Sequence, residues 1–246
     1  MNRTNAFRLS RRVGRFRWDR ALISMLCVLA VAAGAHGWLL AHPEHDPRAP
    51  LDLNDPVVWA TQAKLDALQG DPGLCRAVLE RSGIEFEVQP PAGEGPCLRA
   101  DRTRLGDLPL SPDTPSITCP AAVALYLWER DTVQPVAERH FDQPVASIRH
   151  LGAYSCRRLY GRDSGPWSEH ATANAIDISG FVLSDGTEIS VLSDWDEPGS
   201  KSSFLRELRD GACDAFATTL SPDYNEAHAD HFHLDQADRG WGSVCR

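Results

Sequence analysis

The sequence predicts an α+β domain, with an antiparallel sheet core and flanking helices, preceded by one N-terminal transmembrane helix. Three observations carry this. Ala21 to Ala41 holds no Asp, Glu, Lys or Arg, and as a helix it is long enough to cross a hydrocarbon core of about 30 Å. The first half of the remaining chain is rich in short helix-like apolar runs, and the second half alternates like strands around turn signals. Six cysteines lie beyond the apolar stretch, an even number that suits a stapled exported domain.

Residues 1–20 carry seven Arg against one Asp, so the formal charge of −9 hides a basic end and a strongly acidic body. Such a body is a poor surface for phosphate, which excludes nucleic acid as a partner. The arginines (Arg3, Arg8, Arg11, Arg12, Arg15, Arg17, Arg20) precede the apolar stretch, and the positive-inside rule keeps such a cluster cytoplasmic. Residues 1–20 then read as a cytoplasmic basic tail and 21–41 as an anchor. This predicts a single-pass protein of a bacterial inner membrane, with its body in the periplasm. Ala33-Gly34-Ala35 also has the form of a signal-cleavage site, but the apolar run continues past it to Leu40. Ser10-Arg11-Arg12 is a partial twin-arginine signal. Both readings export the body.

His42 to Pro56 is rich in Pro and Asp and reads as a linker, with His42 and His45 incidental to it. Val57–Leu68 and Leu74–Leu79 predict short helices, and Ile84–Val88 a half-buried strand. Pro120 opens a helical run (AAVALYLWERD), since its missing N–H costs little in a first turn. Val145–Tyr154 predicts a strand. Ile176 begins another, turned at Asp185-Gly186 into Glu188–Leu192. Ser203–Thr218 predicts a helix and His231–Leu234 a last strand. The pairing of Cys75, Cys97, Cys119, Cys156, Cys213 and Cys245 stays open, and no C-x-x-C pair suggests a zinc ribbon or redox site.

Two segments carry chemistry: SEHATANAID (168–177) and HADHFH (228–233). They offer imidazoles and a carboxylate of the kind zinc takes, and three protein ligands leave a position open for water. His231 and His233, two apart on a strand, share a face. Taken singly, each piece is as well explained by a surface or core histidine. His140 and His150 lack partners in sequence and read as structural. His228, Glu169 and Glu226 are flanking candidates only.

The pattern Ser168-x-His170-x-x-Ala173-x-Ala175-x-Asp177 resembles the S-x-H-x-x-G-x-A-x-D signature of the zinc D-Ala-D-Ala carboxypeptidase and endopeptidase group, which shares its fold with the hedgehog N-terminal domain. More narrowly, YSCRRLYG, SEHATANAIDISGF and HADHFHLD are similar to the bacterial extensin-like C-terminal domain family. The resemblance implies a zinc-peptidase-like domain over 57–246, with its motif-bearing core at about 145–246.

It also implies roles. His170, Asp177 and His233 would ligate one zinc. Asp230 would be the catalytic acid and base, and His231 would stabilise the oxyanion or share the proton work. Asp230 points away from His233 on an ideal strand; if the strand is not bent there, His231 is the better base and Asp230 orients a histidine. Arg157 would contact a substrate carbonyl or carboxylate, or else be half of a surface pair with Arg158. Ser168 would hold substrate or shape its loop. Ala173 departs from the Gly of the signature, which implies a shifted loop. The implied activity is hydrolysis of an amide in the stem peptides of peptidoglycan; the alternative is a zinc-containing module of the same fold that binds wall peptide or an envelope protein without cutting.

Overall fold

A computed structural model describes residues 17–106, 108–240 and 242–246. The cluster Arg3 to Arg15 and the Ser10-Arg11-Arg12 signal lie outside the described residues. The structure is of mixed helix and sheet, with an apolar helix at its N-terminal end. That helix, α1 (Arg17–Ala41), is exposed along its length and is long and apolar enough to span a membrane or to serve as a signal sequence.

The body begins with α2 (Thr61–Asp66) and α3 (Pro72–Arg81). The Asp71 carboxylate accepts the Leu74 N–H at 2.9 Å and Pro72 follows it, a side-chain cap with proline at the first helical position. β1 (Phe86–Val88) pairs with β2 (Thr103–Leu105) as a separate hairpin-like ladder. β3 (Leu110–Ser111) leads into α4 (Cys119–Trp128), whose residues are apolar all round and nearly all buried, as expected of a central helix. A wider π-helical turn, Glu129–Val133, joins it to α5 (Gln134–Phe141). Pro135 explains that turn: its ring has no N–H to donate and would clash with the carbonyl four residues back.

The main sheet follows: β4 (Val145–Gly152), β5 (Ala175–Leu183) and β6 (Glu188–Ser190), then α6 (Val191–Asp194) and α7 (Ser200–Ala215), then β7 (Thr218–Leu220), β8 (Phe232–Asp235) and β9 (Val244–Cys245). Strand order is β3-β4-β5-β8-β7-β9, with β6 on the far half of β5. The central pairs are antiparallel, as expected, but the two edge pairs, β3 with β4 and β7 with β9, are parallel. Trp128 of α4 sits edge-on to Phe181 and Phe216, and its indole N–H donates to the Leu208 carbonyl at 2.9 Å. This removes the cost of burying the indole N–H in the core.

Several expected boundaries move. The strand expected to reach Leu192 ends at Ser190, and Val191 turns helical. The helix expected to reach Thr218 ends at Ala215, leaving Thr218 for β7. His231 precedes β8 instead of opening it.

The linker expected at 42–56 is instead packed down. Leu51 and Leu53 are buried in the core, the Leu53 N–H donates to Ser82 Oγ at 2.9 Å, and Lys64 Nζ donates to the Pro43 carbonyl at 2.7 Å. Two isolated leucines in a Pro- and Asp-rich run show no periodicity, yet each gains by leaving water.

The cysteines pair as Cys75–Cys119, Cys97–Cys156 and Cys213–Cys245. The first ties α3 to α4, the second ties residue 97 to the strand exit before Arg157, and the third ties α7 to β9.

Candidate metal centre

Three adjacent strands build the site. Asp177 on β5 lies directly opposite His233 on β8, and on its other side opposite Gly152 at the end of β4. Cross-strand partners point to the same face, so one register sets the carboxylate and the imidazole together. His170 arrives from a 3₁₀ turn, Glu169–Thr172, whose start is capped by Ser168 Oγ accepting the His170 N–H at 3.3 Å. Asn174 ties this loop down: it accepts from Thr118 Oγ1 (2.6 Å) and donates to Glu169 (2.7 Å) and to the Gln236 carbonyl (2.8 Å).

The loop closes at Ala173, which has φ 58° and ψ 33° and is fully buried. Alanine here adopts the left-handed conformation for which glycine is best suited. Ala173→Gly relieves strain but loses a buried methyl and adds freedom to the unfolded chain, so its net effect on stability is expected to be within about 1 kcal/mol. Ala173→Val meets the same backbone with a branched side chain and no room, and is expected to cost about 2 kcal/mol. Thermal melts of the pair check the asymmetry.

His170 Nε2, Asp177 Oδ1 and His233 Nδ1 lie 3.0–3.1 Å from one another. Ligand bonds of about 2.0–2.1 Å at tetrahedral angles put donor atoms about 3.3 Å apart, so the triangle is of the right size for one zinc-like ion. The far nitrogens are held as well. His170 Nδ1 faces the Ala153 carbonyl at 3.1 Å and His233 Nε2 faces Asp235 Oδ2 at 3.0 Å. Both partners accept only, so each far nitrogen carries a proton, and with a metal bound each near nitrogen would present its lone pair to the centre. Orientation of metal-binding histidines by such outer acceptors is general. The residues fit a metal ion.

The electrostatics agree. Burial raises the Asp177 carboxyl, but hydrogen bonds from His170 and His233 and their charge outweigh it and hold it well below the usual range. Burial likewise lowers His233, but Asp177 and Asp235 push it up to about 9. In the metal-free site an imidazolium thus stands between two carboxylates.

Above the triangle is a cleft of about 110 Å³, lined among others by Arg157, Leu159, Tyr160, His228 and His231. His231 Nε2 lies 3.6 Å from Asp177 Oδ1, and its Nδ1 is 2.7 Å from Asp230 Oδ1. Asp230 sits in the turn before β8, half exposed, and is not among the described residues that line the cleft. Of the two arrangements expected for Asp230, the structure shows the one in which it holds His231.

His228, a flanking candidate in the sequence, lines the cleft with its Nδ1 2.7 Å from Asn225 Oδ1. Burial, then the charges of His231 and His233, pull it down to about 4. Arg157 is exposed at the cleft, and no described residue forms an ion pair with it. Ser168 shapes the loop through its cap while also facing the cleft. Glu169 is spent on Asn174 and Glu226 is exposed. His140 and His150 sit away from the cleft, on Glu207 and on the Asp113 carbonyl.

A family model described as extensin-like protein C-terminus matches residues 73–246, which include every residue of the centre. The chain belongs to the extensin-like C-terminal family. No curated protein and no solved structure matches the chain. Within the extensin-like domain, sequence reading missed Asp235 and the Ala153 carbonyl, which hold the far nitrogens of His233 and His170, and Tyr160, which lines the cleft at φ 56°. Asp235 stands two residues after His233, a same-face spacing on a strand that could have pointed to it.

Proposed function

We propose that the chain is a zinc metallopeptidase that hydrolyses an amide bond in the stem peptides of peptidoglycan, held at the periplasmic face of a bacterial inner membrane by α1. The convergence of His170, Asp177 and His233, with both imidazoles locked by outer acceptors, supports this above any other observation. The reading allies the domain with the zinc D-Ala-D-Ala peptidase and hedgehog fold through the 168–177 signature. Three disulfides fit an oxidising compartment.

Zinc at this centre would supply Lewis acidity toward a carbonyl oxygen and toward water. The chain supplies the rest. His231 is the proton carrier nearest the centre, and Asp230 on its far nitrogen stabilises the charged form during transfer. His228, kept neutral and oriented by Asn225, offers a second imidazole to the same space. Arg157, exposed at the cleft, is suited to a carbonyl or carboxylate oxygen of the substrate.

The test is cleavage of cross-linked and uncross-linked stem peptides, beside an all-L peptide of the same length, by zinc-loaded protein. Stem peptides are expected to be cut, and His231→Ala to lower kcat about 10²–10⁴-fold with zinc content unchanged. Zinc-loaded protein that binds stems and leaves them intact would replace this reading with the non-catalytic binding module.

A further inference from the structure

The segment between α1 and the body is not a tether. Leu53 is fully buried, and Lys64, only 4% exposed, donates to the Pro43 carbonyl. The turn Pro43–His45 is thereby fastened to α2, and α1 ends on that turn.

On the outside of this junction the aromatic rings form a continuous stack. Trp38 of α1 lies 4.7 Å from His42 and 5.0 Å from His45, and His45 lies 6.5 Å from Trp59 at an interplanar angle of 22°. Yet Trp59 is 70% exposed, with Val57 partly exposed beside it. Indole rings with one apolar and one polar side concentrate at the headgroup level of membranes. The spacing along α1 agrees: Trp18 and Trp38, both exposed, are twenty residues apart, which on a helix is about 30 Å, the thickness of a hydrocarbon core.

We infer that Trp38, His42, His45 and Trp59 form a seat by which the body rests in the lipid headgroup layer at the C-terminal end of α1. This rests on the reading of α1 as a retained anchor. A seated body holds its cleft within its own diameter of the bilayer, roughly 45 Å for a domain of this length. A free tether of fifteen residues would extend that reach by up to about 50 Å. The substrate of a seated enzyme must therefore lie in the shell next to the membrane.

The experiment uses the full chain in nanodiscs whose phosphatidylcholine carries a nitroxide on the headgroup, compared with unlabelled nanodiscs, for the wild type and Trp59→Phe. Trp59 is exposed, so the variant is expected to fold. Its quenchable tryptophan emission should fall by about one third, one of three indoles at the belts. If the full chain floats with vesicles but the quenchable emission is the same in both proteins, the seat is wrong and the anchor stands. If the chain does not float with vesicles, the anchor reading fails and the seat fails with it.

Discussion

Isolated with its disulfides formed and without chelator, the full chain is expected to carry close to one zinc per molecule, and His233→Ala close to none. Structural zinc in protein sites is worth about 10–16 kcal/mol. Divided over three ligands, the loss of one costs on the order of 4 kcal/mol, roughly a thousandfold in affinity. The fold should survive, because Phe232 and Leu234, on either side of His233, are fully buried and hold β8 in the sheet.

The metal-free variant would leave the Asp177 and Asp235 carboxylates without the imidazole between them. His233→Gln is therefore the companion variant, since an amide can still donate to a carboxylate but is a poor zinc ligand. Both variants are expected to lose zinc, with His233→Gln the more stable of the two. Retention of zinc by both would dismiss His170, Asp177 and His233 as the ligand set. A folded wild type that takes up no zinc even when supplied with it would dismiss the metal centre itself.

What could be read in advance divides by the range of the interaction. The candidate ligands stand in two short segments, and the register that joins them across β5 and β8 follows from the alternation of buried residues in each strand. An even cysteine count beyond the apolar stretch anticipated disulfides, but the partners are 32 to 59 residues apart, and only the fold brings them together.

Other features carry no local signal at all. The Ala153 carbonyl that orients His170 is backbone and could belong to any residue type. The left-handed Ala173 is held by contacts on both sides, among them the Thr118 N–H on its carbonyl at 3.0 Å, and that outweighs what alanine prefers alone. Leu51 and Leu53 looked like linker because burial of single leucines has no period to detect. Which of Asp230 and His231 lines the cleft is decided in the 3₁₀ turn Glu226–His228 and the residues between it and β8, where a two-residue alternation does not apply.

Asp235→Asn is expected to weaken zinc binding about 10–100-fold when measured by chelator competition near pH 9.5, and by less near pH 7. The difference follows from the His233 proton. Its pKa in the metal-free fold, about 9, exceeds the free-imidazole value of 6.5 because Asp177 and Asp235 outweigh burial. The stabilisation this gives the metal-free protein is complete below pH 6.5 and is lost as pH rises through 9. Zinc takes only the neutral imidazole, so it must displace that proton, and zinc affinity rises through the same window in which metal-free stability falls.

Replacing Asp235 has two consequences of opposite sign. The amide orients Nε2–H more weakly than a carboxylate, which weakens the ligand at every pH. It also removes one of the two charges that hold the proton, so His233 is deprotonated at lower pH and zinc faces less competition near neutrality. Near pH 9.5 the first effect acts nearly alone; near pH 7 the second offsets part of it. The falling limb of metal-free stability should move toward acid in the variant, as read from thermal melts in chelator. Equal losses of affinity at both pH values would mean that Asp235 does not raise the His233 pKa. An unchanged affinity at both values, with an unshifted limb, would mean that the hydrogen bond from His233 Nε2 to Asp235 contributes nothing to the centre.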